Sequence, residues 1–322
     1  SGSENLTEGY SKVRIIRTDI CDTDILQYKV LQKEYPIIPC RHAAGVISEI
    51  GPNDLGLDKG DDVVLDPYIP CNDCIFCKNE DYGNCQNMKI YGKGKAGFLR
   101  DFAVLPLANI KKLPENVKTE DAVFVEYIAI ALKIIDGIRV HKGEHVIICG
   151  AGGLGNIIAQ LVMYYQAIPV LIDSNPQNLE RAKSSEIYYT LSADDKDLDK
   201  KINEITGGRL AKYAIYISGV NISINNILKY IRSGGILGIT GFLIEGLGAD
   251  LKDALEKQLA ITCINNGYGN IDSAINMLAT KNVDLSTVQS IIFKFSEADK
   301  AFEILSKESD IYHAVIDCIA DD

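Results

Sequence analysis

Cys71, Cys74, Cys77 and Cys85 follow the spacing C-x2-C-x2-C-x7-C. Two-residue gaps let successive thiolates turn toward one centre, and a fourth thiolate a short loop away closes a tetrahedron. The lobe 71–85 therefore reads as a four-thiolate structural zinc site. With no open coordination position the metal does no chemistry; it braces a loop too poor in apolar residues to hold itself. An iron–sulfur cluster also takes four thiolates. Gln86, however, follows the last cysteine where the bacterial ferredoxin run has proline.

A second chemical signature is Gly150-Ala151-Gly152-Gly153-Leu154-Gly155, a G-x-G-x-x-G between the apolar run His145–Cys149 and a helical stretch, Asn156 to Tyr165. Gly150 permits the tight turn, Gly152 lets backbone approach a pyrophosphate, and Gly155 allows close helix–strand packing. Gly153 and Leu154 open the helix, whose free N–H groups suit phosphate. A further strand ends in Asp173, whose carboxylate suits the ribose hydroxyls of NAD and repels the 2′-phosphate of NADP. Gly241 ends another strand, at an end expected to face the same cofactor.

These residues must be positioned by two kinds of structure. Up to about residue 115 the chain is strand-like and broken by turns, as in an antiparallel barrel; Val13–Ile16 and Ala44–Gly51 read as strands. From about residue 120 strands alternate with helices, giving an α/β, doubly wound parallel sheet. The stretch from Asn270 onward reads as two helices and a closing strand, Ala314 to Cys318. Cys149, Cys263 and Cys318 read as core thiols, and His141, His145 and His313 as solvated polar groups.

The 322 residues exceed what one core serves, so two domains are expected. A net charge of −11 argues against a nucleic-acid partner. No apolar run approaches the roughly 18 residues that cross a membrane. Nine cysteines, an odd count with four at metal spacing and no export signal, point to a reducing cytoplasm.

Together these features resemble the zinc-containing medium-chain dehydrogenase family, nearest its polyol and threonine dehydrogenase branch. Ile20-Cys21-Asp22-Thr23-Asp24 is similar to the family's I-C-G-[ST]-D, and Gly60-Asp61-Asp62-Val63 to its G-D-R-V. The cysteine lobe is similar to its structural zinc loop, and Val125-Glu126-Tyr127 stands where E-P is common. The resemblance implies a chaperonin-10-like barrel catalytic domain, 1–126 and 268–322, with a Rossmann NAD-binding domain, 127–267, inserted in it. It also implies oxidation of a secondary alcohol of a small polar substrate by NAD, and a homodimer or homotetramer. About one pair of family strands ahead of Val13 is missing, which implies a short or truncated N-terminus.

By the same resemblance Cys21 is the first ligand of a catalytic zinc and Glu126 the third. Thr23 passes the alcohol proton, and Asp24 orients the ligand histidine. The second ligand departs from the pattern: family G-H-E becomes Cys40-Arg41-His42. Arg41 cannot bind zinc. Two readings follow. In the first, His42 moves in, and Cys21, His42 and Glu126 hold a catalytic zinc with one open position. In the second that zinc is lost, Arg41 pairs with Asp24, and the chain is an NAD-binding family member acting without zinc chemistry or as a non-catalytic partner or sensor.

Overall fold

The computed structural model describes residues 6–30, 37–217, 222–241, 248–288, 291–307 and 314–319. His313 lies outside them. The chain divides into two compact units. The first comprises Ser1–Glu126, Ile271–Ala279 and Ser290–Asp322, and the second Tyr127–Asn270 and Thr280–Gln289.

The first unit is built on β1 (Tyr10–Ile20) and β2 (His42–Ile50), followed by β3 (Asp62–Leu65), β4 (Tyr68–Ile69), β5 (Lys89–Tyr91), β6 (Gly94–Lys95), β7 (Phe102–Pro106) and β8 (Ile110–Lys112). β1 pairs antiparallel with β2, with β7 along its first half and with the closing strand Ala314–Asp317 along its second. One strand can serve three neighbours because β7 pairs Tyr10–Arg14 and the closing strand Arg17–Ile20, while β2 pairs along the length; the register with β2 shifts at Lys12/Val13 and Ile15/Arg17, and such irregularities bend a strand. Gly45 permits the approach, since a Cβ there would lie 2.2 Å from the Arg14 carbonyl oxygen. Val13, Ile15, Ile47, Val63, Leu65 and Leu105 fill the interior.

The sequence shows the apolar half of β1 but not its continuation. There Thr18 and Asp19, on opposite faces, are both fully buried, so polar residues stand at buried positions and break the apolar alternation that marks a strand. The chain turns at Cys21 directly into the helix Asp22–Val30. Asp22 and Asp24 lie in its first turn and Lys29 in its last, matching the helix dipole at both ends. Its other side packs near the helix Ala298–Ser306, with the Tyr28 and Phe302 rings 5.5 Å apart.

The second unit holds β9 (His145–Cys149), β10 (Ile168–Asp173), β11 (Tyr189–Ser192), β12 (Ala211–Ile217), β13 (Ile231–Thr240) and β14 (Ala260–Ile264). They form one parallel sheet in the order β11-β10-β9-β12-β13-β14. The strand order reverses between β9 and β12, and the carboxyl ends at such a reversal are where these sheets bind ligands. β9, β10 and β12 are almost wholly buried, as expected of parallel strands covered on both faces. β14 is the edge strand, so Cys263 is exposed and is not the core thiol its apolar neighbours suggest.

The sequence boundary at 268 also needs revision. The second unit runs on to Asn270 and includes Thr280–Gln289. Gln160, in the helix Gly153–Tyr164, explains this return. Its amide donates to the Asp284 carbonyl oxygen at 3.0 Å and accepts the Asp284 N–H at 2.6 Å.

Candidate active site

The end of β1, the start of β2 and the following helix converge on one buried polar cluster in the first unit. Asp19 and His42 are register partners across β1 and β2, and Asp19 Oδ2 lies 3.2 Å from His42 Nδ1. On the other side of the ring, Nε2 meets the Glu126 carboxylate, which also accepts the Tyr68 hydroxyl. Arg41 Nε lies 3.3 Å from Glu126 Oε2 and 3.1 Å from His42 Nε2. Asp24 is spent elsewhere. It accepts the backbone N–H of Cys40 at 2.7 Å, that of Cys21 at 3.0 Å and the Cys21 thiol at 2.9 Å.

This geometry corrects two expectations. Asp19, not Asp24, orients His42, and Arg41 pairs with Glu126, not Asp24. Asp24 instead pins the turn that presents Arg41 and His42. Cys40 has φ 68°, a left-handed conformation that favours glycine, which the family pattern carries at this place. Gly97 lets that turn pack tightly, since a Cβ there would lie 2.3 Å from the Cys40 and Pro39 carbonyl oxygens. Asp19 and Tyr68 were missed in the sequence. The available signals were a carboxylate in the buried register of β1 and an aromatic residue at the entry to the cysteine lobe.

The electrostatics follow from burial. Burial alone would strip His42 of its proton, but Glu126 and Asp19 outweigh it and, against Arg41, raise the imidazole to about 9. Burial would also raise Glu126, yet Arg41 and His42 hold it below its ordinary value. The Cys21 thiol is pushed well up by burial and by Asp24.

Two metal positions were implied. At the lobe the four Sγ atoms lie within 4.8 Å of one another. Cys71–Cys77 and Cys74–Cys77 are separated by 3.9 and 3.6 Å, close to the roughly 3.8 Å edge of a tetrahedron with Zn–S bonds of about 2.3 Å. N–H groups at Asp73 and Cys74 help lower the Cys71 thiol to about 6, favouring the thiolate a metal needs. The residues fit a zinc ion. At Cys21, His42 and Glu126 they do not fit one as they stand. The Arg41 guanidinium, 3.3 Å from Glu126 Oε2 and 3.1 Å from His42 Nε2, stands against both atoms that a cation would take. Among the described residues the cysteine lobe is the one group of three or more metal-type side chains with converging ligand atoms.

The cofactor loop lies in the second unit. Gly150 has φ 103°, and a Cβ on Gly155 would lie 1.8 Å from the Gly150 carbonyl oxygen. Gly152 caps the helix Gly153–Tyr164 without a side chain, leaving the N–H groups of Gly153 and Leu154 clear of any capping side chain. Asp173 Oδ2 accepts from Ala151 N at 2.6 Å and from Asn178 Nδ2 at 3.1 Å, and Oδ1 accepts from Asn175 N at 2.7 Å. Three of about four lone-pair positions are thus used, and one remains for a ribose hydroxyl. Gly241 follows β13 with φ 101°. The residues fit a dinucleotide.

Residues 7–115 match the alcohol dehydrogenase GroES-like domain, and residues 153–280 the zinc-binding dehydrogenase domain. An uncharacterized zinc-type alcohol dehydrogenase-like protein of Haemophilus influenzae is 31% identical over 93% of this chain and 89% of its own. L-idonate 5-dehydrogenase of Vitis vinifera is 27% identical over 91% of this chain and 83% of its own. The fold is shared with an alcohol dehydrogenase of Escherichia coli CFT073 crystallised with NADH, at TM-score 0.86 and 21% identity, over 97% of this chain and 92% of that one.

Proposed function

Because the chain belongs to the zinc-type alcohol dehydrogenase family, we propose that it transfers hydride between NAD(H) and a secondary alcohol or ketone of a small polar substrate. Cys21, Thr23, Asp24, His42 and Glu126 are the proposed catalytic set, and Gly150, Gly152, Gly153, Leu154, Gly155, Asp173 and Gly241 the cofactor set. The observation that carries the proposal is the buried Asp19–His42–Glu126 array. It holds a transferable proton in a chain that also carries a dinucleotide loop.

Bound NAD supplies the hydride acceptor. Removing hydride from a carbinol carbon also requires its hydroxyl proton to leave. Thr23, buried in the first turn of the helix after Cys21, is the hydroxyl that would relay it, releasing its own proton as it accepts the alcohol's. His42 holds a proton at neutral pH, as an acid serving the carbonyl in the reverse direction needs. Asp19 fixes the ring, and the buried Glu126 stabilises its charge.

A second reading retains a zinc ion at Cys21, His42 and Glu126. It is favoured by the direct meeting of His42 Nε2 and the Glu126 carboxylate, and it requires Arg41 to leave. A homodimer or homotetramer in the cytoplasm completes the proposal. Family analogy supports the assembly, and the nine free cysteines support a reducing compartment. No described helix is long and apolar enough to cross a membrane.

The test is NADH formation at 340 nm over a panel of polyols and amino alcohols. Turnover with NAD exceeding that with NADP is expected. NADH binding without turnover across the panel would overturn the proposal.

A further inference from the structure

Asn178 stands in the first turn of the helix Pro176–Ser184, which follows β10 and Asp173. It is 3% exposed, so its carboxamide is cut off from water. Its Nδ2 donates to Asp173 Oδ2 at 3.1 Å, and Ala151 N of the glycine loop donates to the same oxygen at 2.6 Å. The amide therefore lies beside the carboxylate assigned to the cofactor ribose and beside the loop assigned to its pyrophosphate. A carboxylate only accepts, so it fixes which end of the amide it meets. The carbonyl oxygen, Oδ1, is left over, buried without a hydrogen-bond partner. An orphaned buried acceptor costs stability in the free chain, and a folded protein tolerates it where a ligand supplies the donor.

The acceptors of Asp173 say what that donor is. Its Oδ2 is filled by Ala151 and Asn178, and its Oδ1 already accepts the Asn175 N–H at 2.7 Å. One lone-pair position remains. The adenosine ribose of NAD presents two vicinal hydroxyls, each with a proton to donate, and Asp173 alone serves one of them. We infer that Asn178 Oδ1 accepts the other, so that the ribose diol is read by two residues, Asp173 and Asn178, each taking one hydroxyl. This rests on the dinucleotide site and not on the identity of the alcohol.

The experiment titrates ADP-ribose calorimetrically, beside two analogues that lack the 2′- or the 3′-hydroxyl of the adenosine ribose. The proteins are wild type and Asn178→Leu, with Asn178→Ala taking its place where the leucine variant does not fold. In wild type each missing hydroxyl should weaken binding by about three- to tenfold. In the variant one of the two penalties should fall below about twofold, for want of the Asn178 carbonyl, and the other should persist through Asp173. Two unchanged penalties would show that Asn178 does not touch the ribose and would overturn the inference. Loss of both would overturn it too, because Asn178 would then act only by holding Asp173. A wild type indifferent to one of the hydroxyls would do the same. If wild type does not bind ADP-ribose, the dinucleotide reading fails and the inference falls with it; the other overturning results all leave wild-type binding intact.

Discussion

Arg41 Nε lies 3.3 Å from Glu126 Oε2, with the two side chains 14% and 4% exposed. A guanidinium therefore stands against a carboxylate that family correspondence assigns to a metal. Removing one member of such a pair leaves the other charge buried. Arg41→Met should destabilise the first unit by about 1.5–3 kcal/mol, because His42 and Tyr68 still partner the buried Glu126. Arg41→His instead supplies an imidazole where the family pattern has one, and zinc bound per chain should rise by about one. Chemical denaturation and metal quantitation check the two variants. A stable Arg41→Met protein would show that the pair is not formed in solution.

His42 gives a pH signature with a definite sign. Its folded-state value of about 9 lies above the ordinary 6.5. Its contribution to stability is therefore complete below about pH 6.5 and is lost as pH rises through about 9. Unfolding free energy should fall across that window in wild type, and the slope should be shallower in His42→Gln. An identical slope in the two proteins would remove His42 as its source. Glu126 acts in the opposite sense. Its depressed value stabilises the fold above the ordinary carboxylate range, and that gain is lost as acid protonates it.

The cysteine lobe should behave as a metal-held loop. Cys74→Ser, or prolonged treatment with a strong chelator, should remove about one zinc per chain and open residues 71–85 to protease. The parallel sheet of the second unit has its own core, and its secondary structure should persist in the variant by circular dichroism. Protection of the lobe without metal would contradict the structural role.

Asp173 couples the cofactor to the loop that holds it, through the 2.6 Å bond from Ala151 N. Asp173→Ser should weaken NADH binding by roughly tenfold or more, for the loss of a hydrogen bond to a charged acceptor. It should also narrow the preference for NADH over NADPH in a fluorescence titration. An unchanged preference would show that another residue reads the ribose.

The sequence revealed some parts of this molecule and hid others for identifiable reasons. The parallel sheet was readable because buried strands such as His145–Cys149 are continuous apolar runs and the glycine loop sits between one of them and a helix. The cysteine lobe was readable because its ligands are close in the chain. The candidate active site was only half readable. Cys21, Thr23, Asp24 and Glu126 could be placed by family correspondence, but their partners could not. Asp19 faces His42 only because β1 and β2 pair antiparallel, and Tyr68 meets Glu126 across 58 residues of chain. Arg41 was visible as a departure from the pattern, yet its partner could not be chosen. Asp24 was the nearer carboxylate in sequence, and only the turn at Cys40, with φ 68°, directs Arg41 toward Glu126. Likewise, nothing local announces that Asp284 belongs with the second unit; that follows from the reach of Gln160.

Central to this account is a site whose charge is balanced by Arg41 and His42, in a chain whose one fitted metal position is the cysteine lobe. The most direct measurement is the zinc content of the purified, NADH-loaded wild-type chain, read beside its rate with a polyol substrate. About one zinc per chain is expected, with turnover that persists at that stoichiometry. About two zincs per chain, with turnover lost when the second is removed, would contradict it and would return Cys21, His42 and Glu126 to the role of ligands.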